Sequence, residues 1–172
     1  RGKRAIEDHF DHSFELESQL KGTPKEYLLN EIELIINKST FTYVRQNKML
    51  GLGHAILTGE SLIGNEPFGV ILADDLCFNN GPGVMSQMLK IYNKYKCSIV
   101  AIEEIPIIKS NKYGIINGNF IENSNNIYQV NNMIEKPEQN DAPSNLAIIG
   151  RYILTPDIFD ILRESHPDKR GE

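Results

Sequence analysis

At 172 residues the chain has the length of one domain, enough to bury a substantial core. Its 40% hydrophobic and 24% charged content is that of a soluble globular protein, with no composition bias toward a fibrous or disordered class. A net charge of −5 offers no global attraction to nucleic acid or to an anionic membrane, so a polyanionic ligand would have to be met by a metal and a few local bases.

Arg1 to Phe10 is polar with a weak helical stripe at Ala5, Ile6 and Phe10. Ser13 is placed to cap a second helix with apolar positions Phe14, Leu16 and Leu20, and Gly22 ends it. Thr23-Pro24 then starts a third, Thr as cap and Pro in the first turn. In it Leu28, Leu29, Ile32, Ile35 and Ile36 keep the spacing of one buried face. His9 and His12 read as exposed or capping residues rather than ligands. Residues 41–45 alternate like a strand and run into Gln46-Asn47-Lys48-Met49-Leu50-Gly51-Leu52-Gly53-His54. A helix from His54 to Leu62 and a turn at Gly64-Asn65-Glu66-Pro67 follow.

Phe68 to Ala73 is mostly apolar, too short for a helix, and stops at Asp74-Asp75. That pattern predicts a strand buried on both faces, as in parallel sheets. Ligands of open α/β sheets sit outside the carboxyl ends of such strands. Two acids there suit a divalent cation and, through it, a phosphate; Asp is also common at strand ends as turn former or cap. Val84, Met88, Leu89, Ile91 and Tyr92 mark another helix, and Ser98 to Ile102 a second apolar strand ending in Glu103-Glu104. Strand, helix, strand, helix, strand from Thr42 to Glu103 predicts parallel strands with crossover helices. Tyr113 to Ile116 and Ile127 to Ile134 read as strands around an Asn-rich excursion with turns at Asn117-Gly118 and Asn123-Ser124. Ala147 to Leu154 is a last strand, and Thr155-Pro156 opens a helix carrying Ile158, Phe159, Ile161 and Leu162. No apolar run approaches the roughly 20 residues that cross a bilayer. Cys77 and Cys97 lack metal-ligand spacing and read as reduced thiols of a cytoplasmic protein.

Several residues at or near predicted strand ends can carry chemistry. The Gln46 amide offers a donor and an acceptor side by side, matching the N3–H and O4 edge of uracil or thymine. Gly51 and Gly53 let backbone approach a flat ring at a helix start with unpaired N–H groups; the plainer alternative is a loop with a surface glutamine. Glu135-Lys136-Pro137 closes a strand with an acid suited to sugar hydroxyls and an ammonium suited to phosphate, or simply with a solvated charge pair. Gly114 marks ligand approach or a bulge. Gln46, Asp74, Glu103, Gly114 and Glu135-Lys136 are expected to form one site with a base pocket, a metal and a sugar subsite.

Val44-Arg45-Gln46 to Gly51-Leu52-Gly53-His54-Ala55, Val70 to Asp75, Ile134-Glu135-Lys136-Pro137, and Ala142 to Tyr152 together resemble the bacterial UTP–glucose-1-phosphate uridylyltransferases. The similarity runs from Arg4-Ala5-Ile6-Glu7-Asp8-His9-Phe10 to Gly171-Glu172, and the ordered series is specific where each piece alone is not. The resemblance implies a Rossmann-like three-layer α/β/α nucleotidyltransferase core with a mixed, mainly parallel sheet. It implies Mg²⁺-dependent conversion of UTP and glucose 1-phosphate to UDP-glucose and pyrophosphate. Gln46 and the Gly51 backbone would read the uracil, and Asp74 would bind the metal bridging the phosphates. Gly114, Glu135 and the backbone near Ile148 would hold the glucose, with Lys136 on the sugar phosphate. Asp75 departs from versions of the motif with an apolar residue and is expected to act as a cap or behind the ligands.

The family begins with a strand and a Gly-rich loop carrying an Arg and a Lys, and continues with a further metal-binding Asp and helices used in subunit contacts. The chain, which opens at Arg1 without Met, therefore reads as a single nucleotidyltransferase domain over residues 1–172 with both ends incomplete. It is expected to be inactive alone, with an exposed central sheet edge, and to form a homo-oligomer when full length. A sister thymidylyltransferase, a non-catalytic nucleotide-sugar-binding module, and a glycosyltransferase using Asp74-Asp75 as its metal pair are the rival readings.

Overall fold

A computed structural model of the chain describes residues 4–122, 124 and 126–165; the expected turn residue Asn123 and the closing Gly171-Glu172 lie outside them. The chain divides into two compact units, Arg1–Thr58 and Gly59–Glu172. Among the described residues no helix is long and apolar enough to cross a membrane.

The first unit is helical, with α1 (Arg4–His9), α2 (Phe14–Leu20), α3 (Glu26–Lys38) and α4 (Gly51–Thr58). Ser13 caps α2 as expected, its hydroxyl accepting the Leu16 N–H at 3.4 Å. α3 starts two residues later than Thr23-Pro24 suggested, because the Thr23 hydroxyl is used in the preceding turn, donating to Leu20 O at 2.7 Å. Of its predicted buried face only Leu29 is buried, while Leu28 and Ile35 stay exposed. The 13-residue helix packs within this unit on the seven-residue α2, which is too short to cover the whole stripe. The strand expected at 41–45 does not form. A strand needs a ladder partner, and here Phe41 instead stacks on Phe10 of the α1 region, ring centroids 4.7 Å apart.

The second unit contains α5 (Glu60–Ile63), β1 (Phe68–Ile71), α6 (Val84–Tyr95), β2 (Ile99–Glu104), a 3-10 helix (Ile107–Lys112), β3 (Gly114–Phe120), β4 (Tyr128–Glu135), β5 (Leu146–Leu154) and α7 (Ile158–Glu164). Its strands form one five-stranded sheet. Every pairing among the described residues is antiparallel, which corrects the expectation of a mainly parallel sheet. β1 and β2 do run in the same direction, as a strand–helix–strand crossover requires. They are not neighbours, however, because β5 lies between them and runs the other way.

β5 is the strand on which the unit is built. Leu146, Ala147, Gly150, Arg151 and Ile153 are buried, and Ile115 and Ile116 of β3 are fully enclosed beside it. β1, by contrast, is not buried on both faces: among the described residues it pairs with β5 alone, and Ile71 is 60% exposed. Successive strand residues project to opposite faces. A Cβ on Gly69 would lie 2.8 Å from Met85 Cε of α6, while the neighbouring Phe68 stacks on Phe159 of α7 with centroids 5.3 Å apart. α6 and α7 therefore cover opposite faces, giving the expected α/β/α layering. Asn117-Gly118 is not a turn but the irregular step of the β3–β4 ladder. A Cβ on Gly118 would meet Gln129 O at 2.6 Å, so the glycine serves close backbone approach rather than chain reversal.

Candidate functional site

A strand has two hydrogen-bonding edges. β2 occupies one edge of β5 from Ile99 opposite Ile153 to Glu104 opposite Leu146. β1, opposite 151–154, and β3, opposite Ala147, must therefore share the other. Between them lies an interruption at Ile148, Ile149 and Gly150, into which β1 and β4 deliver their carboxyl ends from opposite directions. Such a break, where strand ends converge, is the position at which α/β sheets present functional groups.

The turn after β1 is fastened to this interruption. Leu72 N–H donates to Gly150 O at 2.9 Å, and Gly150 N–H donates to Asp75 Oδ2 at 2.7 Å. Arg151, only 8% exposed, has no carboxylate partner among the described residues. Its guanidinium donates instead to Leu72 O at 3.2 Å, Gly150 O at 2.7 Å and Asp75 O at 2.5 Å. Both ends of the Leu72–Asp75 turn are thus held, Asp75 by its side chain and Leu72 by its backbone. Gly150 has no space for more: a Cβ there would sit 2.8 Å from Leu72 Cβ and 3.1 Å from Asp75 Cβ. Asp75 is thus tied by its side chain to β5 rather than to a helix start. Asp74, at the tip, is exposed and has no ion pair among the described residues.

On the other side of the interruption three predicted residues meet. Gly114 stands opposite Glu135 in the β3–β4 ladder. A Cβ on Gly114 would lie 3.2 Å from Glu135 Oε2 and 3.1 Å from Ile148 Cδ1, so glycine lets an acid and an aliphatic group approach the backbone more closely than a side chain would allow. Lys136 follows with φ +46, a left-handed conformation rare for a residue with a side chain, and donates its N–H to Tyr113 O at 3.0 Å. In a continued strand its side chain would point away from that of Glu135; the left-handed step instead brings Nζ to 3.2 Å from Glu135 Oε1. Burial pushes the Tyr152 phenol above its ordinary pKa, and the carboxylates of Glu135 and Asp75 add to the rise. One phenol thus feels an acid from each side of the break. Glu103 lies opposite Ala147 on β2 and is exposed.

In the first unit Gln46 and Gly51 are brought together. The Gln46 amide nitrogen donates to Gly51 O at 3.0 Å and lies 3.0 Å from His54 Nδ1. The donor half of the amide, expected to face a base, is engaged within the protein. A cleft of about 420 Å³ in this unit, lined by Ile6, Glu7 and residues 42–45, includes none of the predicted site residues.

Among the described residues no three His, Cys, Asp or Glu side chains cluster as a ready-made metal cage. Mg²⁺ is commonly held by one or two carboxylates with phosphate and water oxygens, and an exposed carboxylate without an ion pair, as at Asp74, fits that demand. Gly150, Arg151, Tyr152 and His54 fall within the stretches that carry the resemblance, but no role was assigned to them from the sequence. Arg151 was the legible signal: a lone cation inside an apolar strand must find acceptors.

The Nucleotidyl transferase family model matches residues 10–172. A UTP–glucose-1-phosphate uridylyltransferase of Pseudomonas aeruginosa is 58% identical over 173 residues, covering 100% of this chain and 61% of that protein. One of Staphylococcus haemolyticus is 45% identical over 160 residues, covering 93% of this chain and 54% of its own length. The chain thus spans less than two thirds of the curated relatives it matches. Among solved structures, an apo UDP-glucose pyrophosphorylase superposes with a TM-score of 0.94 at 59% identity, covering 100% of this chain and 63% of that one. A UDP-glucose pyrophosphorylase complexed with UDP-glucose gives 0.90 at 56% identity, covering 100% and 62%. With the family model matched over nearly all of its residues, the chain belongs to the nucleotidyl transferase family.

Proposed function

We propose that the whole protein transfers a uridylyl group from UTP to glucose 1-phosphate, giving UDP-glucose and pyrophosphate. The observation that carries this reading is the convergence, at one break in the sheet, of an exposed acid, a glycine approached closely by Glu135 and Ile148, and an acid–base pair, in a chain 58% identical to a uridylyltransferase. Gln46 and the first backbone N–H groups of α4 read the base. Gly114, Glu135 and the Ile148 backbone hold the glucose, the Glu135 carboxylate accepting from its hydroxyls. Lys136 meets the sugar phosphate. Asp74 holds Mg²⁺, which supplies charge neutralisation at the phosphates when bound.

A phosphate oxygen of glucose 1-phosphate attacks the α-phosphorus of UTP, a new P–O bond forms, and the bond to the β-phosphate breaks as pyrophosphate leaves. No proton need be abstracted, because the attacking phosphate is already ionised. The residues therefore act by positioning and charge compensation rather than as nucleophiles. Free cysteines, Cys77 half-buried and Cys97 exposed, agree with a reducing cytoplasmic setting.

The test is turnover by the full-length protein with UTP or dTTP and glucose 1-phosphate, following pyrophosphate. UDP-glucose formation with UTP preferred, lost on chelation and restored by Mg²⁺, is expected. Preference for dTTP would move the protein to the thymidylyl class, and release of UDP rather than pyrophosphate to the glycosyltransferases. Binding of UDP-glucose without turnover would mark a non-catalytic module.

A further inference from the structure

The contacts of Gln46 and His54 deepen the reading of the base subsite and rest on it. Gly51 O can only accept, so the amide nitrogen of Gln46, not its oxygen, must lie against it; a flipped amide would set two acceptors together. With the nitrogen so fixed, its second N–H points to a ring nitrogen at 3.0 Å. That contact is a hydrogen bond only if His54 Nδ1 carries a lone pair and the ring proton sits on Nε2. The two acceptors have a common origin in α4. Gly51 opens the helix and His54 follows three residues later, so carbonyl and imidazole share one face. Both amide protons are thereby spent inside the protein. Oε1, which makes no hydrogen bond among the described residues, is the part of the amide left for a ligand.

We propose that His54 is a positioning residue that sets base specificity by holding the Gln46 amide oxygen-outward. The subsite then presents an acceptor. It takes a pyrimidine whose N3 carries hydrogen, as in uracil or thymine, and rejects cytosine, whose N3 is itself an acceptor. Without the imidazole acceptor, the amide nitrogen keeps only Gly51 O, and its free N–H can turn to a base acceptor.

The experiment compares kcat and KM for UTP and CTP, with glucose 1-phosphate, in full-length Gln46→Ala, His54→Ala, His54→Leu and His54→Asn proteins. His54→Ala is expected to raise the KM for UTP about tenfold, the scale of one neutral hydrogen bond, with kcat unchanged. The CTP-to-UTP ratio of kcat/KM should rise by a similar factor. His54→Leu, which fills the ring's volume without an acceptor, should behave alike and serves if the Ala protein is unstable. His54→Asn, whose side-chain oxygen can accept in place of Nδ1, should restore the UTP KM to within about threefold. If Gln46→Ala leaves the UTP KM unchanged, the base-reading role of Gln46 itself fails. If Gln46→Ala raises that KM while neither His54→Ala nor His54→Leu alters the nucleotide ratio, or if His54→Asn is as impaired as they are, the role given to His54 is wrong and the base subsite stands.

Discussion

Two adjacent carboxylates, Asp74 and Asp75, are assigned opposite work, and replacing each in turn separates them. Asp75 Oδ2 accepts the N–H of buried Gly150 at 2.7 Å, so Asp75→Ala strands a buried donor and releases one end of the turn. A hydrogen bond to a charged group contributes about 1.5–3 kcal/mol, and an unpaired buried donor costs about 1–3 kcal/mol. Arg151 still holds Asp75 O and Leu72 O in this variant, so the turn is weakened rather than lost. The expected loss is about 2 kcal/mol, a roughly thirtyfold shift in the folding equilibrium. Asp75→Asn keeps an oxygen acceptor and should lose about half as much, the difference between charged and neutral acceptors. Asp74→Asn removes a charge from an exposed side chain that has no ion pair among the described residues and should stay within about 0.5 kcal/mol of wild type. Urea unfolding of the full-length proteins reads the stabilities, and pyrophosphate release reads the activities. Asp74→Asn should abolish turnover at wild-type stability, while Asp75→Asn keeps measurable turnover. The reverse pattern, a stable but inactive Asp75→Ala beside a destabilised, active Asp74→Asn, would refute the division of labour.

Three further outcomes follow from the geometry of the break. Gly114→Ala places a methyl where the glucose is proposed to lie, 3.1 Å from Ile148 Cδ1 and 3.2 Å from Glu135 Oε2, so the KM for glucose 1-phosphate should rise about tenfold while that for UTP holds. Equal changes in both would disconnect Gly114 from the sugar. Lys136→Gly and Lys136→Ala both remove the ammonium and should lose activity alike. Since Lys136 sits at φ +46, the Gly protein should be the more stable of the two by about 1 kcal/mol; equal stability would mean the left-handed step is not maintained. Tyr152 keeps its proton in the folded chain above the ordinary value of 10.0, chiefly through burial. The unfolded chain releases that proton first as pH rises, so this contribution is complete below pH 10.0 and lost as pH climbs through the folded value. Tyr152→Phe should therefore lose less stability than wild type in alkaline urea titrations, and a steeper loss would contradict the assignment.

The candidate site was more legible than the sheet that carries it. An apolar run ending in Asp74, and Glu135-Lys136 closing another, show strand ends because hydrophobic periodicity and its interruption are local properties. Pairing is not local. Phe68–Ile71 and Ile99–Glu104, joined through a helix, must run the same way, but nothing between them in sequence announces that Leu146–Leu154 will insert. The same blindness made residues 41–45 look like a strand, since alternation identifies a chain segment able to pair without supplying its partner. Asn117-Gly118 misled for another reason: the glycine that suits a tight turn also suits a ladder irregularity where Gln129 O approaches closely. Asp75 reads from sequence as a cap or as a residue behind the ligands, while its actual partner, Gly150 N–H, lies 75 residues away along the chain. The amide of Gln46 suits a pyrimidine edge by its chemistry and suits a surface loop equally, but which half of it is free depends on Gly51 O and His54 Nδ1, which only the fold supplies.

The break between β1 and β3 is most directly tested by hydrogen–deuterium exchange of the full-length protein with and without UDP-glucose and Mg²⁺. Amides of the 72–76 turn, of 113–116, of 134–138 and of 147–152 should slow together, because one ligand would order all the elements that meet there. Unchanged exchange in those four segments, with protection confined to other parts of the chain, would remove the nucleotide sugar from the place assigned to it.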